Sequence, residues 1–209
     1  NVSTGVVTIH EGKLHYRKIV GTVDEIIAKT DVLELPGTIG IAHTRPGGYE
    51  VAYQPSISPD ETSALVTNGT FIKTPYISKQ NEAVKILLDK GYVFEQILEQ
   101  NFQPPHLPDG HQIFPLEVRL ALVNMYASEG KPLEEALALS CDHMYADNAT
   151  VVLSEREPDT IFAMRTSRPL LVLEEAGETY LATCRRTGRA AAGRSCMGRF
   201  STSAKGCRQ

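Results

Sequence analysis

Apolar and polar positions alternate from the start of the chain. Residues 5–10 (Gly5-Val6-Val7-Thr8-Ile9-His10) are rich in β-formers. Glu11-Gly12 supplies a turn, and residues 13–20 return with rough alternation, so the pattern predicts an opening hairpin. Val23, Ile26 and Ile27 then lay a single apolar stripe along residues 22–29, the spacing of a short helix. Residues 37–44 read as a buried strand whose small side chains permit close sheet packing, broken by the loop Arg45-Pro46-Gly47-Gly48. Residues 55–60 continue as loop. A strand over 63–67 is predicted to stop at Asn68-Gly69, a strong turn pair.

The middle of the chain changes period. Residues 78–90 predict a helix with Ala83, Ile86 and Leu87 inward and Gly91 at its C-terminal cap. Pro104, Pro105, Pro108 and Gly110 make residues 101–113 an irregular loop. Leu116, Leu120, Val123 and Ala127 form a second helical stripe that Gly130 ends. Pro132 suits the first turn of a third helix reaching residue 141. Strand patterns resume at 149–154, 160–165, 170–173 and 179–183, with turns at Pro158-Asp159 and Ala176-Gly177. Strands, then helices, then strands predict a layered α+β domain.

Composition narrows this picture. A chain of 209 residues, 42% apolar and 22% charged, fits one soluble globular domain with a sizeable core. No apolar run approaches the ~20 residues that span a bilayer, and no leader pattern opens the chain, so no membrane association or secretion is expected. The four cysteines, Cys141, Cys184, Cys196 and Cys207, are badly placed for a disulfide framework, which predicts a reduced, cytoplasmic protein. Their gaps do not match zinc-ligand spacing, and no metal or other cofactor is expected. The three Asn-X-Ser/Thr sequons, at Asn1, Asn68 and Asn148, carry no meaning in that compartment.

The net charge of −4 conceals an asymmetry. Seven bases and no acid fall in residues 184–209, leaving 14 bases against 25 acids in residues 1–183. That acidic body would repel nucleic acid. Two units follow: a domain over 1–183, and a basic tail over 184–209 that lacks apolar periodicity. The tail reads as a disordered terminus; a shifted reading frame and a nucleic-acid-binding arm are the other readings.

Two stretches carry a family resemblance. Gly40-Ile41-Ala42-His43-Thr44-Arg45 resembles the strand-to-loop segment of the class II glutamine amidotransferases, most of all the glutaminase domain of glucosamine-6-phosphate synthases. Thr67-Asn68-Gly69 resembles that family's following strand end. Ser3-Thr4-Gly5-Val6, Gly21-Thr22-Val23, Leu116-Glu117-Val118, the run Met164 to Leu170 and the run Glu178 to Thr183 match in the same order, so the resemblance spans residues 3–183. It implies a four-layer αββα sandwich of two stacked, mainly antiparallel sheets, the N-terminal-nucleophile hydrolase fold. The family's first strand and helix have no counterpart here. The implied reaction is hydrolysis of the glutamine side-chain amide to glutamate and ammonia, passed to an acceptor such as fructose 6-phosphate on another domain or subunit. A homo-oligomer is compatible with it.

Roles follow residue by residue from the resemblance. The Asn68 side-chain amide and the Gly69 N–H would form the oxyanion hole, where fixed donors supply roughly 3–4 kcal/mol to a tetrahedral intermediate. Glycine also lets the backbone approach the ligand closely. The plain alternative is an ordinary Asn-Gly turn. Arg45 would grip the α-carboxylate of glutamine or a related amino acid, since its planar fork pairs bidentately with carboxylate; the plain alternative is a surface ion pair. His43 reads as a satisfied core histidine rather than a catalytic one.

The departures are as informative. Pro46-Gly47-Gly48-Tyr49 stands where the family has a tryptophan and small hydroxyl residues. Pro115 stands where the family has an aspartate for the substrate's ammonium, and Asp109 is a candidate replacement. Asn1 is no nucleophile, and Cys141 reads as a packed small hydrophobe. A chain without a nucleophile, which typically supplies ~10⁶ in turnover, is expected to show negligible glutaminase activity. A non-catalytic, amidotransferase-like binding or assembly module is the alternative reading.

Overall fold

The opening strands form a small sheet. In the computed structural model, which describes residues 2–46, 54–71, 77–98, 105–183 and 196–201, β1 (Val2–His10) and β2 (Lys13–Val20) pair through the predicted turn. β3 (Ile39–Pro46) lies on the other side of β1, giving the order β2-β1-β3. Between β2 and β3 runs α1 (Val23–Lys29). Its capping box is complete: the Glu25 N–H donates to Thr22 Oγ1 and the Thr22 N–H to Glu25 Oε2, satisfying two helix-end donors reciprocally.

A larger antiparallel sheet lies against this one. It contains β4 (Ser56–Ile57), β5 (Ser63–Thr70), β8 (Asp147–Ser154), β9 (Thr160–Arg165) and β12 (Cys196–Ser201), in the order β12-β9-β8-β5-β4. Its strands are apolar at consecutive positions because both faces are covered. Ala64, Val66, Val151, Leu153 and Ala163 pack against Val7, Ile9, Ile39 and Ile41 of the first sheet. Leu65, Val152, Phe162 and Met164 face the other way, onto helices, as the two-residue period of a strand requires. Those helices are α2 (Ile77–Asp89), α3 (Pro115–Ser128) and α4 (Leu133–Met144). The four layers are therefore α1, the three-stranded sheet, the five-stranded sheet and the α2–α4 layer: the predicted αββα sandwich. Among the described residues the outer layer over the small sheet is thin, a single helix of seven residues.

One end of the sandwich is pinned. Glu155, just past β8, takes Lys13 at 2.6 Å and the Leu14 N–H at 3.0 Å, and the Tyr16 hydroxyl donates to Glu61 at 2.7 Å. The other end, where β1 begins and β3 and β5 finish, is where the candidate residues lie.

Several expectations change. Asn68-Gly69 is not a turn: β5 runs on to Thr70, with Asn68 opposite Ala149 and Gly69 opposite Asn148. Pairing with β8 overrides the local preference. Within the stretch expected as loop at 55–60, Ser56–Ile57 pairs with β5. Gln112–Ile113 (β7) pairs with Ile97–Leu98 (β6) inside a region read as irregular. In α2, Val84 is buried beside Ala83 and Leu87, whereas Ile86 is half-buried. The last hairpin, β10 (Leu171–Glu175) with β11 (Glu178–Ala182), forms as predicted. Cys196–Ser201 departs from the reading of 184–209 as disordered, because it adds to the edge of β9; the rest of that segment lies outside the described residues.

Candidate functional site at the open end of the two sheets

Register fixes which side chains meet between the sheets. On β1, Ser3 and Gly5 share the face of Val7 and Ile9; on β3, His43 and Arg45 share the face of Ile39 and Ile41. Ser3 lies opposite Arg45, and Gly5 opposite His43. On β5, Asn68 shares the face of Ala64 and Val66. Arg45 and Asn68 thus project from facing strands at the same end of the sandwich.

Contacts between the sheets tie these residues together. His43 lies beside the backbone of Thr67, the residue before Asn68, close enough for that backbone to oppose the fall in its pKa. Gln54 clamps the same peptide from the side, its Nε2 donating to the Thr67 carbonyl at 2.9 Å and its Oε1 accepting from the Thr67 N–H at 2.6 Å. Gly5 makes this approach feasible, because a Cβ there would lie 2.5 Å from both Gln54 O and Pro55 Cδ. Gly69 is required for a similar reason. Its φ is +140°, and a Cβ would meet the Asp147 carbonyl oxygen at 2.1 Å, so no other residue fits.

The electrostatics distinguish His43 from Arg45. Burial holds His43 well below the usual histidine value, at about 4, with the charge of Arg45 adding to the shift and the Thr67 backbone opposing it. His43 is neutral at physiological pH. The Arg45 guanidinium lies 5.5 Å from the centroid of the Phe114 ring, at the start of α3, a cation–π arrangement that fixes its direction without neutralising its charge.

Acids near Phe114 are committed elsewhere. The buried Glu117 carboxylate accepts from the N–H groups of Glu95 and Gln96, each at 2.7 Å. Burial raises its pKa while these two bonds oppose the rise. Pro115 is the first residue of α3, and the helix has no side-chain cap. Asp109, the candidate replacement, accepts from the His111 N–H and lies 3.1 Å from its Nδ1, so its carboxylate is turned onto its own loop. Gly47, Gly48 and Tyr49 lie outside the described residues.

Cys141 belongs to another part of the molecule. It packs against the helix-side core, with Met164 Sδ 3.4 Å from its sulfur. The five-stranded sheet separates it from the face that carries Asn68. Burial raises its thiol pKa. It is a packed small residue, and it cannot reach the cleft. Among the described residues no group of three His, Cys, Asp or Glu side chains could hold a metal, and no helix is long and apolar enough to cross a membrane.

Sequence reasoning missed Arg119. This fully buried guanidinium on α3 donates to Asn148 Oδ1 at 3.2 Å, to Thr150 Oγ1 at 2.8 Å and to the Met144 carbonyl, and lies 4.7 Å from the Phe71 ring centroid. Thr150 Oγ1 is in turn 2.9 Å from Thr67 Oγ1. Arg119 therefore braces β5 from the helix side at the residue before Asn68. The only signal in the sequence was a base, two residues after Glu117, inside the largely apolar run Leu116 to Val123.

No protein-family model matches the chain. Curated relatives do. Glutamine–fructose-6-phosphate aminotransferase (isomerizing) from Pyrococcus horikoshii is 28% identical over 183 residues, covering 87% of this chain and 27% of the relative. The enzyme of that name from Zymomonas mobilis is 31% identical over 183 residues, covering 86% and 26%. The chain thus spans about a quarter of the length of these relatives. Among solved structures, glutamine phosphoribosylpyrophosphate amidotransferase from B. subtilis, complexed with ADP and GMP, superposes with a TM-score of 0.60 at 18% identity, covering 86% of this chain and 34% of the other. An allosteric regulatory enzyme of purine biosynthesis superposes with a TM-score of 0.64 at 17% identity, covering 97% and 43%. The chain resembles the class II glutamine amidotransferases in sequence and has their fold.

Proposed function

We propose that this domain binds glutamine, or a closely related amino acid, in the cleft between the ends of β3 and β5. Arg45 takes the α-carboxylate, and the Asn68 amide with the Gly69 N–H faces the side-chain amide. The observation that carries this reading is the placement of Arg45 and Asn68 on facing strands at one end of the sandwich, with His43 beside the Thr67 backbone. The similarity to glutamine–fructose-6-phosphate aminotransferases supports glutamine as ligand and fructose 6-phosphate as the acceptor served by a separate domain or subunit.

In that chemistry the enzyme's task at the amide is to stabilise negative charge as the carbonyl becomes tetrahedral. Asn68 and Gly69 are suited to it, because β5 holds them rigidly on paired backbone. An attacking group is also needed, and the first cysteine in the sequence, Cys141, is on the wrong side of the five-stranded sheet. The 209-residue chain therefore binds without turnover, as a non-catalytic amidotransferase-like module would. Calorimetry with L-glutamine tests this. Binding is expected for the unmodified chain and a loss of at least about tenfold for Arg45→Ala, the weight of one charge-assisted bond, with no enzyme-like ammonia release from either. Equal affinity in the two proteins would remove Arg45 from the site. Ammonia release at an enzymatic rate would show that a nucleophile is present after all.

A further inference from the structure

The buried guanidinium of Arg119 reaches the far end of β5 at three alternate positions. Thr67, Gly69 and Phe71 fall on the strand face that carries Leu65 and turns toward the helices; Asn68, between the first two, turns the other way, into the cleft. Arg119 Nη1 donates to Thr150 Oγ1 at 2.8 Å and to Asn148 Oδ1 at 3.2 Å. Those two residues of β8 are the cross-strand partners of Thr67 and Gly69, the neighbours of Asn68 on either side. The first link is a hydrogen bond, with Thr150 Oγ1 2.9 Å from Thr67 Oγ1. The second is close contact: a Cβ on Gly69 would lie 2.7 Å from both Cα and Cβ of Asn148, so Gly69 rests against Asn148. Phe71 is met directly, its ring centroid 4.7 Å from the guanidinium carbon.

The remaining partners of Arg119 are the Met144 carbonyl and the Cys141 thiol, so every group it bonds is neutral. A buried charge without a carboxylate is costly beside an apolar side chain of the same size. What the planar fork supplies in return is geometry, because one rigid group fixes two residues of β8 and stacks on the end of β5. Thr67 is then held from two directions, by Gln54 on its backbone and through Thr150 on its side chain. Donors fixed before a ligand arrives lose little freedom on binding it.

We propose that Arg119 is the positioning residue of the Asn68–Gly69 pair: by fixing the residues around Asn68 it sets how strongly the site prefers a ligand with a side-chain amide over one without. This rests on the reading that Asn68 and Gly69 face that amide. Arg119 itself lies on the helix side of the five-stranded sheet and touches no ligand. Loosening it therefore weakens the amide end of the site, while Arg45, on the other sheet, keeps its grip on the carboxylate.

Calorimetry with two ligands reads this preference: L-glutamine, and L-norvaline, which has the same carbon chain and no amide. The unmodified chain is expected to bind glutamine the more tightly. Arg119→Lys keeps the charge and loses the fork; Thr150→Val removes the hydroxyl between Arg119 and Thr67. Each is expected to weaken glutamine about tenfold, the weight of one hydrogen bond, and to leave norvaline within about twofold. Thr150→Ser, which keeps the hydroxyl, should retain the full preference. A merely structural role would lower the melting temperature and leave the ratio of the two affinities unchanged, and that result overturns the inference, as does an equal loss of both ligands. If Asn68→Ala abolishes the preference while Arg119→Lys and Thr150→Val keep it, this inference alone fails. If the unmodified chain does not prefer glutamine, the reading of Asn68 and Gly69 fails and takes this one with it. Thr150→Val decides the matter if Arg119→Lys does not fold.

Discussion

His43 shows what a single position in the sequence can and cannot say. Its place on an apolar strand predicts a satisfied core histidine; the structure buries much of the ring between the sheets, beside the Thr67 backbone, yet leaves Nδ1 without a partner. Sequence gives burial; it does not give satisfaction. The residue also makes a prediction about stability. Its folded pKa, about 4, lies below the ordinary value of 6.5, so the unfolded chain binds more protons between those pH values. Stability is then full above about pH 6.5 and falls as pH drops toward 4, by up to roughly 3 kcal/mol from this group. Urea unfolding at a series of pH values should show that slope, and His43→Phe should flatten it. An unchanged slope in the variant would place the acid sensitivity elsewhere. Asn68-Gly69 teaches the complementary lesson. The resemblance proposes the pair as a site, and its turn preference gave way to pairing with β8, which no local rule foresees.

Elements of ordinary length were readable because their periods are clear. The hairpin β1–β2, the short α1 with its capping box, α3 and the β10–β11 hairpin all follow the pattern of apolar positions. The two-residue strands β4, β6 and β7 are too short for any period to show. Helix α3 was legible as a helix but not in its burial. Its apolar stripe implied a polar face, yet Glu117 and Arg119 are as buried as their apolar neighbours, each because it serves backbone or side-chain partners on another element. Arg119 joins α3 to β8 and the end of α4. Replacing it with alanine removes a large buried side chain and the bonds it gives to Asn148, Thr150 and the Met144 carbonyl, a loss of roughly 3–5 kcal/mol. Chemical denaturation of Arg119→Ala should show it. A loss below about 1 kcal/mol, the scale of an ordinary surface change, would mean that α3 is held by its apolar contacts alone.

At the scale of the molecule, strands on either side of a helical middle gave the α+β class, and the ordered matches along residues 3–183 gave the four layers. What neither could supply is the relation between the two sheets at their open end, because it depends on twist and on contacts such as Gln54 and Pro55 against Gly5 of β1 that link residues distant in type and pattern. That end is where the account is most exposed. Its central claim is that Arg45 and the Asn68–Gly69 pair face one cleft and meet one ligand. The most direct test is an NMR titration of ¹⁵N-labelled protein with L-glutamine, following the Arg45 Nε, the Asn68 side-chain amide and the Gly69 backbone amide together. The account predicts that all three signals move with one common binding curve, while Gly12 and Gly130, on distant turns, stay still. Shifts in Arg45 without Asn68 and Gly69, or curves with different midpoints, would contradict it.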